Sequence, residues 1–186
     1  ITIDKIAVII IGWSDFFTLV TTVKPGDVGD MTRGIGNYVL KAGINGGGIR
    51  RLPYTTDMNI NDQTFDDIIG TTAFHPLGEV WTDVLWDLYW AMVDVYGFDE
   101  DQINGTGGNN MAIQLVMDGM KYQSCDPGFM AGRDAIMVAD AINNDGVNEC
   151  IIWEVFARRG FGYNASGGSV YDRNDGFQDF EVLPEC

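Results

Sequence analysis

A chain of 186 residues, 46% hydrophobic and 20% charged, is long enough for one folded domain with a sizeable core and carries no signature of disorder. Its 27 acidic residues against 11 basic ones give a formal charge of -16, which argues against nucleic acid or an anionic membrane surface as a partner. One histidine and three cysteines limit the chemistry further: two imidazoles cannot converge on a metal, and at most one intrachain disulfide can form.

The chain opens at Ile1 without a signal peptide, which reads as a processed or truncated boundary. Ile6 to Ile11 is a run of six apolar residues, too short to cross a bilayer as a helix. Its β-branched content predicts a short buried N-terminal strand. An irregular glycine-rich loop follows at Gly43 to Gly48, and beyond it the chain turns helical.

Pro76 suits a first helical turn, where its missing N–H is not needed. Apolar residues then recur at Leu77, Val80, Trp81, Val84, Leu85, Leu88, Met92 and Val95, which predicts a helix of about five turns ending near Gly97. Glu79, Asp83 and Asp87 form an acidic strip on that helix, read as a solvated face because like charges at this spacing repel unless water screens them. Asn109 or Asn110 caps a second helix that turns Met111, Ala112, Leu115, Val116 and Met120 inward. After the turn Asp126-Pro127-Gly128, a third helix runs from Phe129 to about Ile142 and stops at Asn143-Asn144-Asp145-Gly146. A last helix carries Ile151, Ile152, Val155 and Phe156 and ends at Arg158, Arg159 and Gly160. The polar tail from Asn164 packs back through Phe177, Phe180, Val182 and Leu183. The methionines and tryptophans are core residues, and with no internal repeat or low-complexity tract, residues 1–186 are assigned to a single domain.

Gly12-Trp13-Ser14-Asp15-Phe16 is the most informative string. With Met31-Thr32-Arg33-Gly34-Ile35-Gly36-Asn37-Tyr38-Val39, Ile49-Arg50-Arg51-Leu52-Pro53-Tyr54-Thr55-Thr56-Asp57-Met58, His75-Pro76-Leu77-Gly78-Glu79-Val80-Trp81, Gly105-Thr106-Gly107-Gly108-Asn109-Asn110 and Trp153-Glu154-Val155-Phe156-Ala157-Arg158-Arg159-Gly160, it resembles the fungalysin-type zinc metallopeptidases from about Gly12 to Cys186. Residues 1–11 do not match. The resemblance implies a mainly α fold, the helical C-terminal half of a thermolysin-like catalytic domain, whose β-rich N-terminal half would lie elsewhere.

It also implies a set of site residues. His75 would donate to the oxyanion of a tetrahedral intermediate, Arg50 would hold a substrate carbonyl, Ile49 would line the pocket beside it, and Asp15 would orient a zinc-bound histidine from behind. By the same resemblance Cys125 pairs with Cys150, and Cys186 is left for a segment beyond. Such a bridge places the chain in an extracellular, secreted setting, whereas the competing reading keeps all three cysteines reduced. Plainer readings compete at each position: His75 as a helix-capping side chain, Arg50 paired with Asp57, Asp15 as an ordinary helix carboxylate.

The metal itself has no holder here. Where the family reads Gly-Glu-Gly-Trp-Ser-Asp-Phe, this chain has Ile11 in place of the glutamate ligand, and no HExxH occurs. The zinc of the family is therefore not expected on this chain, which alone is expected not to cleave peptides. Two functional readings stand. In one, the chain is part of a secreted zinc metalloendopeptidase acting on peptides, with HExxH in an N-terminal half or a neighbouring subunit and with Ile11 misassigned or its missing ligand compensated. In the other, it is a degenerate peptidase domain, a structural or binding module whose apolar N-terminal strand adds to a neighbour's sheet. Serine or cysteine nucleophiles lack a placed base, and the glycine-rich segments form neither a P-loop nor a dinucleotide fingerprint. Sequons at Asn104 and Asn164 matter only in a eukaryotic secretory route.

Overall fold

The computed structural model describes residues 5–43, 46–71, 73–125, 127–168 and 174–186. Ile44 and Asn45 of the glycine-rich loop, Asp126 of the Asp126-Pro127-Gly128 turn and part of the tail lie outside the described residues. Five helices carry the fold: α1 (Lys5–Val20), α2 (Phe74–Tyr96), α3 (Gly108–Tyr122), α4 (Phe129–Asn144) and α5 (Glu149–Arg158). A 3-10 turn spans Phe65–Ile68, and the extended pairs among the described residues are isolated bridges. The fold is thus mainly α, and the four helices expected after the glycine-rich loop all form.

The N-terminal expectation fails. Residues 6–11 belong to α1 and are helical, not a strand. Strand preference is worth only about 1 kcal/mol across its whole scale, whereas burying a large apolar side chain contributes roughly 1.5 to 3 kcal/mol. As a helix the segment buries Ile9, Trp13, Phe16, Leu19 and Val20 on one face, and packing decides the outcome. A sheet-adding strand at this position has no basis in the fold.

At the centre lies α2, with α1, α3 and α5 packed around it. Val80, Trp81, Val84, Leu85, Trp86, Leu88, Tyr89 and Met92 are all buried. Trp81 is the hub, with ring centroids 5.2 Å from Trp13, 5.6 Å from Phe129, 5.7 Å from Phe156 and 5.9 Å from Phe161. Two glycines set how closely α1 crosses α2. A Cβ at Gly12 would sit 2.5 Å from Trp81 Cδ1, and one at Gly78 would sit 2.6 Å from Ile11 Cγ2.

The acidic strip of α2 is a second correction. Glu79, Asp83 and Asp87 are only 3%, 0% and 3% exposed, and they face the irregular segment before α2 and the end of α5 instead of water. Glu79 accepts from Arg51, Asp83 from Asn61 Nδ2 at 2.9 Å, and Asp87 from Arg159 Nε at 2.8 Å. Arg159 also donates to the backbone carbonyls of Asn61, Gln63 and Thr55, so it pins that segment onto the helical body.

The disulfide is a third. Cys150 is bonded to Cys186, with Cα atoms 5.2 Å apart, and Cys125 is free and exposed. Asn148 Nδ2 lies 3.5 Å from Met111 Sδ, so the start of α5 sits beside the start of α3. Cys125 follows the far end of α3, roughly 17 Å along its axis from Met111, beyond the reach of a disulfide from Cys150. The tail runs the other way, pairing Asp179 with Phe161 and Phe177 with Ser166, and brings Cys186 to α5. Phe177 and Phe180 stay more than half exposed, so backbone bridges and the disulfide hold this tail more than its aromatic rings do.

Among the described residues, no helix is long and apolar enough to cross a membrane.

Candidate functional site

Residues 33–35 and 49–54 run side by side and deliver the first wall of a cleft. Arg33 and Tyr54 exchange backbone hydrogen bonds at 2.8 Å each way, and Ile49 N–H donates to Ile35 O at 2.9 Å. Gly48 makes the approach feasible. Its φ is +71°, and a Cβ there would lie 2.6 Å from the Ile35 backbone. The second wall is the first turn of α2, where His75 is exposed and Glu79 stands one turn further on the same face.

Ile49, Arg50, Arg51, His75, Pro76 and Glu79 line the open cleft between these walls, which encloses about 420 Å3. Three of the four residues assigned to the site from sequence, Ile49, Arg50 and His75, therefore meet. The fourth, Asp15, stands behind Arg50. Arg50 Nε donates to Asp15 Oδ2 at 2.7 Å and Nη2 to Oδ1 at 2.8 Å, while the Tyr54 hydroxyl donates to Oδ2 at 2.8 Å. This two-point contact replaces the competing pairing of Arg50 with Asp57, which instead accepts from the backbone N–H and side-chain amide of Asn59. The capping reading of His75 also finds no support, because α2 starts from Ala73 without a side-chain cap.

The electrostatics follow from burial and pairing. Hydrogen bonding to Asp15 raises the Arg50 guanidinium above its already high value, so its charge is permanent. Burial first, and the Asp15 charge second, push the Tyr54 phenol well above its ordinary range, so it stays a donor. Burial likewise holds the Asp83 carboxyl well above the usual carboxylate range, opposed by Arg159. Asp87 is pushed up by burial too, with Arg159 pulling it back.

Arg51 and Glu79 line the cleft although sequence reasoning did not assign them to it. Arg51 Nε donates to Glu79 Oε2 at 3.0 Å and its backbone N–H to Oε1 at 3.3 Å. The signal was present in the spacing, since a residue four positions after His75 on a helix shares its face. The sign of the strip misled instead, because paired carboxylates inside and solvated ones outside look alike in one dimension.

A metal is a different matter. Ile11 is half-buried against Gly78 and offers no lone pair, the single imidazole is on the cleft rim, and among the described residues no group of three or more His, Cys, Asp or Glu could hold an ion. The donor set present does not fit zinc.

A family profile described as Fungalysin metallopeptidase (M36) matches residues 7–165. The chain is 38% identical over 163 residues to extracellular metalloproteinase 2 of Arthroderma gypseum, covering 84% of this chain and 25% of that protein. It is 36% identical to extracellular metalloproteinase 2 of Phaeosphaeria nodorum over 94% of this chain and 27% of the relative, and 39% identical to extracellular metalloproteinase MEP of Pyricularia oryzae over 86% and 26%. The chain thus spans about a quarter of the length of the curated relatives it matches.

Proposed function

Because the chain belongs to the fungalysin metallopeptidase family, we propose that it forms the helical wall of the peptide cleft in a secreted zinc metalloendopeptidase, and that the metal-holding HExxH lies outside these residues. The observation that carries this reading is the convergence of Ile49, Arg50 and His75 on one cleft from separate segments. In that cleft His75 donates a hydrogen bond to the carbonyl oxygen on which negative charge develops, and Arg50, held by Asp15, donates to a neighbouring peptide carbonyl. Ile49 gives a side chain an apolar surface. No step is assigned to a metal on this chain, since its residues do not fit one.

Ile11 favours the second reading, a degenerate domain kept as an extracellular binding or structural module, since its aliphatic side chain stands at the ligand position. One comparison separates the two. The chain alone is expected to hold no stoichiometric zinc and to leave a quenched peptide uncut, whereas a full-length protein that supplies both HExxH and a third ligand in place of Ile11 is expected to cut it. Chelator-sensitive turnover by the chain alone would defeat the inactive assignment, and a full-length protein without turnover would favour the degenerate module. In an active full-length protein, His75→Phe should lower kcat by about 100- to 1,000-fold, the usual cost of removing one oxyanion donor.

A further inference from the structure

We infer that Asn104 is an acceptor site for an N-linked oligosaccharide. Asn104-Gly105-Thr106 is a sequon with glycine, not proline, at its centre, and it lies in the loop joining α2 to α3. Asn104 and Thr106 are both exposed.

The loop is built so that this side chain can be modified without loss of structure. Its turns are held by backbone donors: Asp101 N–H to Asp99 Oδ1 at 2.9 Å, Asn104 N–H to Asp101 Oδ1 at 2.9 Å, Thr106 N–H to Asp99 Oδ2 at 3.1 Å and Gly105 N–H to Asp101 O at 2.8 Å. The Asn104 amide contributes one long bond, Nδ2 to Asp101 Oδ2 at 3.3 Å. N-glycosylation replaces one of the two amide hydrogens and leaves the other to keep that bond.

Next to the sequon, Ile103 is 90% exposed. An attached sugar would shield it. The site also lies clear of the cleft, since the 23 residues of α2 put the loop roughly 30 Å along the helix axis from His75. The compartment is right as well: the disulfide is suited to an oxidising route, and the relatives are fungal proteins named extracellular. The second sequon, Asn164-Ala165-Ser166, is less open, because Ser166 is half-buried and exchanges both backbone bonds with Phe177. The inference is confined to Asn104, and it rests on secretion, not on catalysis.

The donor required is a lipid-diphosphate-linked oligosaccharide of the secretory pathway. The bond from sugar C1 to the phosphate oxygen breaks, a bond from C1 to Asn104 Nδ2 forms, the amide gives up one proton, and the lipid diphosphate leaves.

The test uses the full-length protein secreted by a fungal or yeast host, with mass analysis of the peptide holding residue 104 before and after peptide N-glycosidase. The peptide is expected to carry a hexose-rich glycan and to convert to aspartate at position 104 on release. Thr106→Ala should abolish the modification while keeping the backbone bond to Asp99, and Thr106→Ser should retain it. An unmodified peptide in the secreted wild-type protein, or a glycan that persists in Thr106→Ala, overturns the inference.

Discussion

Arg50 and Asp15, 35 positions apart, meet in a two-point ion pair at 2.7 and 2.8 Å, with side chains 10% and 5% exposed. The pair ties the cleft wall to α1 and fixes the direction of the guanidinium at the cleft.

Asp15→Asn should therefore act on both stability and the cleft. Loss of the carboxylate leaves Arg50 charged and largely buried, which costs about 3 kcal/mol when a buried pair is broken from one side. A chemical denaturation midpoint lowered accordingly is the expected result. A midpoint equal to wild type would show that the pair does not hold the segment.

Arg159 should be more sensitive still. It is fully buried, paired with Asp87 and donating to three backbone carbonyls, so Arg159→Met leaves Asp87 only the longer contact to Arg158 Nη1 at 3.7 Å and strands several acceptors. A loss of about 4 kcal/mol is expected, and adding Asp87→Leu should recover part of it in a double-mutant cycle. Strictly additive effects would contradict a direct coupling.

Asp83 predicts a pH signature of definite sign. Its carboxyl is fully buried, with an amide donor at one oxygen, and its folded pKa is raised well above the unfolded value near 4. A raised pKa means the folded state keeps the proton: the stabilisation is complete below the unfolded pKa and is lost as pH rises through the folded one. Asp83→Asn should match wild type near pH 3 and become relatively more stable as pH increases. A constant difference between the two across that range would refute the assignment.

Asp118 should show the opposite trend. Hydrogen bonds from Lys121, Gln114 and Asn143 lower its pKa, so its contribution is present above the unfolded pKa and fades as pH falls through the folded one. Asp118→Asn is expected to lose most near neutrality and little in acid. Thermal melts at two pH values read this directly.

Peptide mapping under non-reducing conditions should recover Cys150 linked to Cys186, with Cys125 alkylated in the native protein. Cys186→Ser should destabilise the fold by about 4 kcal/mol in the loop-entropy model for a 36-residue separation. A Cys125–Cys150 cross-linked peptide would reverse the assigned connectivity.

Much of the fold was legible because four helices announce themselves locally. The apolar spacing on α2, Gly97 after its end, and Gly160 after α5 are signals carried by neighbouring residues. That Ile49, Arg50 and His75 share a cleft is signalled in the sequence only by the family strings, since their spacing in the chain says nothing of it. Two features were not legible. An unbroken apolar run such as Ile6 to Ile11 has no period, so its conformation depends on what it is buried against. The strip Glu79, Asp83 and Asp87 has a spacing but no stated direction, and its partners Arg51, Asn61 and Arg159 come from distant parts of the chain.

By itself, then, the sequence determined the family, the helical half it represents, the lack of HExxH and the isoleucine at position 11, because these depend on residue identity and local spacing. The tertiary structure alone decided which carboxylates are buried, which cysteines are bonded and that Asp15 holds Arg50, because each is a matter of proximity between segments far apart in the chain.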